Sequence, residues 1–243
     1  MKHKPFSTHL LAGEHVAGRS LDSLELEAAR RALALLKNRL GSRAMSALLQ
    51  YDVEETDRLW EAWAAESNGE WRTMSFTMEV HGLPLAYWLQ WIRANFDQES
   101  MHFAVHPEHY AWTRADLVDP DAGPDHFMVI EPMGDHMLRG YARLLDWEGQ
   151  EAYADPDFPV RLALAGYTRN GVMVARSLSQ YRETDDGFVF KMVAMKPVKV
   201  PATMIPSNQE HGYLEFNRYM ECARKSWEQE RDATAFFPIQ DPR

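Results

Sequence analysis

Apolar residues recur along this chain with two different periods, and the change of period divides it. Over residues 23–40 the run Leu26, Ala29, Leu33, Leu36 and Leu40 follows helical spacing, and Gly41 is a natural stop. Ser23 and Leu26 do not form a capping box there. Residues 43–50 continue as a short second helix, and residues 56–66, around Trp60 and Trp63, read either as a further helix or as an irregular segment. The period then changes. Met74, Phe76, Met78 and Val80 alternate within residues 72–80, which predicts a half-buried strand. Gly82 and Pro84 punctuate it, and Pro84 suits the opening of a helix in which Leu85, Trp88, Leu89, Ile92 and Phe96 repeat at three and four. From there to residue 200 the pattern is mostly extended, with strands predicted over 100–106, 126–131, 136–146, 159–168, 172–182 and 187–195. Asn170-Gly171 and Asp186-Gly187 are hairpin signals between apolar runs. Ser207 and Glu210 fit a capping box for a last helix, whose stripe is Phe216, Tyr219, Met220, Ala223 and Trp227. The tail from Ala235 reads as irregular.

Helices, then a short helix among antiparallel strands, then a long helix define an α+β chain. Its N-terminal helical extension covers residues 1–70 and the sheet-containing domain residues 71–243. A curved sheet gripping the last helix would enclose a cavity suited to a small ligand.

Composition narrows the partners. Across 243 residues the formal net charge is −10, which argues against a nucleic-acid binder and against docking on anionic membrane. No stretch is apolar for the roughly 18 residues that a spanning helix needs. Met1 to His15 lacks the apolar core and cleavage site of a signal peptide. The single cysteine, Cys222, rules out an internal disulfide framework and reads as a buried, inert thiol. These features point to a cytoplasmic protein. Eight Trp and nine Tyr suit either a packed core or the walls of a pocket for flat organic ligands.

The candidate chemistry lies in three separate stretches. His211 and Glu215 stand four apart on the last helix, so one face presents an imidazole and a carboxylate together. Met101 to Tyr110 carries three histidines, His102, His106 and His109, around Pro107. Glu131 ends the apolar run Phe127 to Ile130 and must find solvent, a counter-charge or a metal. Each alone also fits an ordinary surface or loop residue. Together they supply two nitrogen and two oxygen donors, a set that suits zinc acting as a Lewis acid or water activator. Glycine-rich phosphate loops, a Gly-x-Ser-x-Gly elbow and Cys-x-x-Cys pairs are absent. His81 reads as part of a turn, Asp119 to Asp125 as a solvated loop, and Lys196 to Lys199 as a solvated basic stretch.

These residues, in this order, resemble the 2,4-diacetylphloroglucinol hydrolase and phloretin hydrolase family. The likeness is carried by Tyr87-Trp88-Leu89-Gln90-Trp91 followed by His106-Pro107-Glu108-His109, by Val129-Ile130-Glu131-Pro132-Met133-Gly134, and by His211-x-x-x-Glu215. The hairpin around Gly171 and Arg176-Ser177 also looks similar. The resemblance implies a helix-grip (Bet v 1/START-like) fold. It implies zinc held by Glu131, His211, Glu215 and a histidine after the His-Pro, His109, with His106 as the alternate. It also implies hydrolysis of a carbon–carbon bond between an acyl group and a phenolic, phloroglucinol-like ring. His102 stands where the family carries a tyrosine, and with His106 it is a candidate proton shuttle. Two other family positions are departed from: Ala165 or Gly166 stands in place of a histidine, and Ser179 in place of a tyrosine. Tyr167 and Tyr181 are the nearby substitutes. The substrate would be a small aromatic or polyketide-like molecule. The rivals are a non-catalytic helix-grip carrier for a hydrophobic or aromatic ligand, and another polyketide-processing enzyme on the same scaffold. The N-terminal helices would either cover the pocket or join two copies in a homodimer.

Overall fold

The computed structural model describes residues 11–12, 15, 17–119, 121–122, 126–145 and 151–236, with side chains to residue 231. Two helices, α1 (Leu21–Leu48) and α2 (Gln50–Glu66), lead into β1 (Trp71–His81). Helices α3 (Leu85–Asn95) and α4 (Glu99–Val105) follow, then strands β2 (Ala111–Arg114), β3 (Phe127–Met133), β4 (His136–Leu145), β5 (Val160–Tyr167), β6 (Met173–Thr184) and β7 (Gly187–Pro197). The last described element is α5 (Met204–Phe236). All strand pairs are antiparallel, in the order β1-β7-β6-β5-β4-β3-β2. One sheet with a long C-terminal helix across it is the helix-grip arrangement, and the fold is α+β. Among the described residues no helix is long and apolar enough to cross a membrane.

The two faces of the sheet are covered by different helices. Met128 and Ile130 of β3 pack with Val53 of α2, while Glu131, the next residue along, faces α5, as strand alternation requires. The Arg139 guanidinium of β4 also meets Asp57 of α2, at 2.5 Å and largely out of solvent. The N-terminal helices are therefore packed on the sheet. On the other face, Phe76, Phe188, Phe190 and Tyr181 meet Tyr219, Met220 and Ala223 of α5 and Trp88 of α3. This part of the grip, expected to be hollow, is filled by aromatic rings.

Several local expectations are corrected. Gly41, at φ 65°, does not end the first helix but kinks it, and α1 resumes to Leu48. Its cap is Ser20, whose Oγ accepts the Ser23 N–H at 3.1 Å. Residues 100–106 are helix rather than strand. The alternation of Met101, Phe103 and Val105 is outweighed by a contact no local pattern reveals. The buried Lys37 ammonium of α1 donates to the carbonyls of Phe103 (3.2 Å), His106 (3.0 Å) and Pro107 (3.0 Å) at the C-terminal end of α4. Those are carbonyls that a helix end leaves without partners, and a cation there also complements the helix dipole. Strand β2 was not predicted. Helix α5 starts one turn before Ser207, at Met204, with Pro206 tolerated in its first turn, and continues past Ala235. The Asp186-Gly187 signal marks a real hairpin for a different reason: a Cβ on Gly187 would lie 2.0 Å from the Val80 carbonyl oxygen, so strand contact demands glycine.

Candidate metal centre

Four residues from three elements meet beside the first turns of α5. His211 and Glu215 come from its inner face. Gly212 between them lets the helix approach β1, where a Cβ would stand 3.3 Å from the Phe76 ring. Glu131 comes from β3, and His109 from the turn after α4. Glu131 Oε2 lies 3.6 Å from His109 Nε2 and 3.2 Å from His211 Nε2, and Glu215 Oε1 lies 3.5 Å from His109 Nε2. The four ligand candidates predicted from the sequence are thus brought together.

Hydrogen bonding fixes what His109 can do. It is fully buried, and its Nδ1–H donates to the His102 carbonyl at 3.1 Å. Burial pushes its pKa down to about 3, so the ring is neutral and Nε2 carries a lone pair. That lone pair faces two carboxylates and has no hydrogen-bond partner. Three electron-rich atoms at such distances repel one another unless a proton or a cation lies among them. A backbone carbonyl behind the ring is also how metal-binding histidines are usually oriented. His211 repeats the pattern: Nε2 faces Glu131, and Nδ1 faces Glu108 Oε2 at 3.6 Å. Burial disfavours charge on His211, but the carboxylates of Glu131, Glu108 and Glu215 outweigh it and raise its pKa to about 10. A proton on His211 answers that electrostatic demand, and an ion held there would displace it. Glu131 is held ionised although burial opposes this, because His211 lies against it. Burial raises Glu215 to about 7. Two imidazoles and two carboxylates fit a borderline ion such as zinc.

His106 lies close by. One ring nitrogen from each of His106, His109 and His211 falls within a common 4.8 Å. Its tautomer separates it from the other two. His106 Nδ1 accepts the Glu108 N–H at 3.1 Å, so the neutral ring carries its proton on Nε2, a buried donor without a partner. His109 therefore fits the ligand role and His106 the role of a proton-bearing neighbour, its ring 4.0 Å from that of His211.

The other expected catalytic residues are placed differently. His102 is buried and stacked on Trp112, with ring centroids 3.6 Å apart. Its Nε2–H donates to the Phe96 carbonyl at 2.8 Å and its Nδ1 accepts the Tyr219 hydroxyl at 2.5 Å, so both nitrogens are committed. Through the Tyr219 hydroxyl it is connected to Glu215. The Tyr167 hydroxyl accepts from Arg143 at 3.0 and 3.2 Å in an exposed position. Tyr181 lies in the apolar core against Phe188 and Phe190. Neither tyrosine has a described contact with the four ligand candidates.

Four residues were missed. Glu108 sits behind His211. Tyr219, read only as part of an apolar stripe, links His102 to Glu215. Its spacing from His211 and Glu215, at steps of four, was the available signal. Lys37 holds the loop that carries His106 and His109. Lys196, read as solvated, is only 7 % exposed, whereas Lys199 is exposed.

No family model and no curated protein matches the chain. Among solved structures, it resembles Ara h 8.0201 with TM-score 0.44 and 10% identity, over 63% of this chain and 98% of that one. The protein XoxI from Bacillus cereus aligns with TM-score 0.39 and 15% identity, over 62% of this chain and 94% of its own. NE0264 from Nitrosomonas europaea gives 0.35 and 14%, over 65% and 95%. None of the three adds to what the strand order and the terminal helix already establish.

Proposed function

We propose that the chain is a metal-dependent hydrolase that cleaves the bond between an acyl carbon and a phenolic ring carbon, as in acylphloroglucinols. The observation that carries this reading is the neutral His109, whose Nε2 lone pair is aimed at two half-buried carboxylates. The likeness of the His-Pro, Glu131 and His211-x-x-x-Glu215 stretches to the phloroglucinol-hydrolase family supplies the reaction class. His109, Glu131, His211 and Glu215 would hold the ion. A zinc ion there supplies Lewis-acid polarisation and a water of lowered pKa.

The remaining chemistry falls to side chains. The ring-to-acyl bond breaks, the ring carbon gains a proton and the acyl carbon gains the hydroxyl of water, giving a phenol and a carboxylic acid. His106 Nε2–H, a buried donor without a partner among the described residues, would hold a substrate oxygen. Glu108 orients His211 from behind. Purified protein should contain one equivalent of zinc and release acetate from mono- or diacetylphloroglucinol. Stoichiometric zinc without acid release from any acylphenol would remove the reaction and leave the metal centre. The positions of Tyr167 and Tyr181 away from the centre favour one rival, a different polyketide-like substrate on the same site. Assaying cyclic β-diketones beside acylphenols separates the two.

A further inference from the structure

Lys196 has no place in that scheme, yet it is one of the more deeply buried charged residues of the chain. Phe190 of β7 contacts Phe216 of α5, so alternation puts Met192, Ala194 and Lys196 on the same α5-facing side. Lys196 is the last of these, at the end of the strand nearest the start of α5. Its ammonium stands 5.5 Å from the centre of the Trp60 ring, which α2 inserts there, and lies within the field of Glu131. Among the described residues it makes no hydrogen bond and no ion pair within 4.0 Å. Trp60 is fully buried, and its Nε1–H has no acceptor either.

An ammonium carried on a largely buried side chain presents three donors, and holding it there away from bulk water is unfavourable. Cation–π attraction and the Glu131 charge offset part of that. Burial brings the lysine down to about 8, with Glu131 opposing, so it stays charged at neutral pH. An uncommitted cation beside a candidate metal centre calls for an anionic oxygen. Acylphenols ionise readily, and their phenolate or enolate oxygens are of this kind. Resting on the hydrolase reading, we infer that Lys196 is a binding residue for an ionised phenolic oxygen of the substrate, with the Trp60 indole forming the adjoining wall.

The probe is 4-nitrophenol, whose ionised form absorbs in the visible. It is titrated into the full-length protein, zinc-loaded and chelated, at a pH where the free probe is mostly neutral. The wild type should bind it as phenolate in both states, since the chelated arm excludes an ion as the partner. Lys196→Met should weaken binding about tenfold or more, the range for a hydrogen bond to a charged group, and abolish the visible band. Lys196→Arg should retain it. Wild-type protein that binds the probe only in neutral form, or not at all, overturns the inference whatever the variants do. So does an unchanged band in Lys196→Met. Zinc content, measured on the same samples, judges the metal centre separately: a Lys196-dependent band in a protein that takes up no zinc keeps the lysine and discards the hydrolase.

Discussion

The two ends of the helix grip differ in how completely they are satisfied. Toward α3, rings from β1, β6, β7 and α5 fill the space between sheet and helix and demand little else. Toward the start of α5, His109 and His211 are buried and Glu131 and Glu215 half-buried, and His109 Nε2 and both His211 ring nitrogens have no hydrogen-bond partner among the described residues. Apolar burial is complete in itself, because it is non-directional and scales with area. A cluster of lone pairs and carboxylates is not, and needs protons, water or a cation to balance it. The same fold thus holds one end closed by packing and one end lined by ionisable groups.

The largest expected effect follows from that contrast. With free zinc about a thousandfold above its Kd, the ion should stabilise the chain by about 4 kcal/mol. Calorimetric melting with and without chelator reads this directly, and coincident curves would mean that the two ends do not differ. Next comes Lys37→Met. It strips the donor from three carbonyls at the end of α4 and should destabilise the chain by about 3 kcal/mol in denaturant titration. Zinc affinity should fall with it, because His109 rides on the same loop. Loss of stability with unaltered zinc affinity would show that the loop keeps its shape without the lysine.

The His109→Ala and His106→Ala pair sharpens the assignment inside the polar end. Losing a ligand should reduce zinc affinity by at least about a hundredfold, the upper range for outer-sphere partners. His106→Ala should leave affinity within about tenfold and lower turnover instead. Chelator competition measures both, and the reverse ranking would hand the ligand role to His106.

How far these differences could be read from the sequence depends on the range of the interactions behind them. The strands around Gly171 and Gly187, the helix after Pro84 and the stripe of α5 were legible because each is specified by local period and turn chemistry. The convergence of Glu131, His109, His211 and Glu215 was legible through motif order, since two of them share a helix face and the other two lie beside prolines. What escaped was long-range. Helix α4 was taken for a strand because its cap, Lys37, comes from 66 residues away. Lys196 was taken for solvated because only the packing of Trp60 from α2 reveals its burial. Tyr167 and Tyr181 were placed at the site by proximity in sequence to expected positions, and neither has a described contact with the four ligand candidates.

The smallest expected effect tests the apolar end. Tyr181 is 2 % exposed, ringed by Phe188 and Phe190, with its hydroxyl beside Trp88 and Ser179, and burial raises its pKa to about 12. A phenol so placed stays protonated at any working pH. Tyr181→Phe removes one oxygen and keeps the ring, so it should destabilise by about 1 kcal/mol and leave zinc content and turnover as they are. The ring cannot be both inert packing and a contact for substrate hydroxyls. If turnover collapses in a variant that melts normally and retains its zinc, substrate reaches past the metal into the aromatic half, and the division between a closed end and an open end no longer holds.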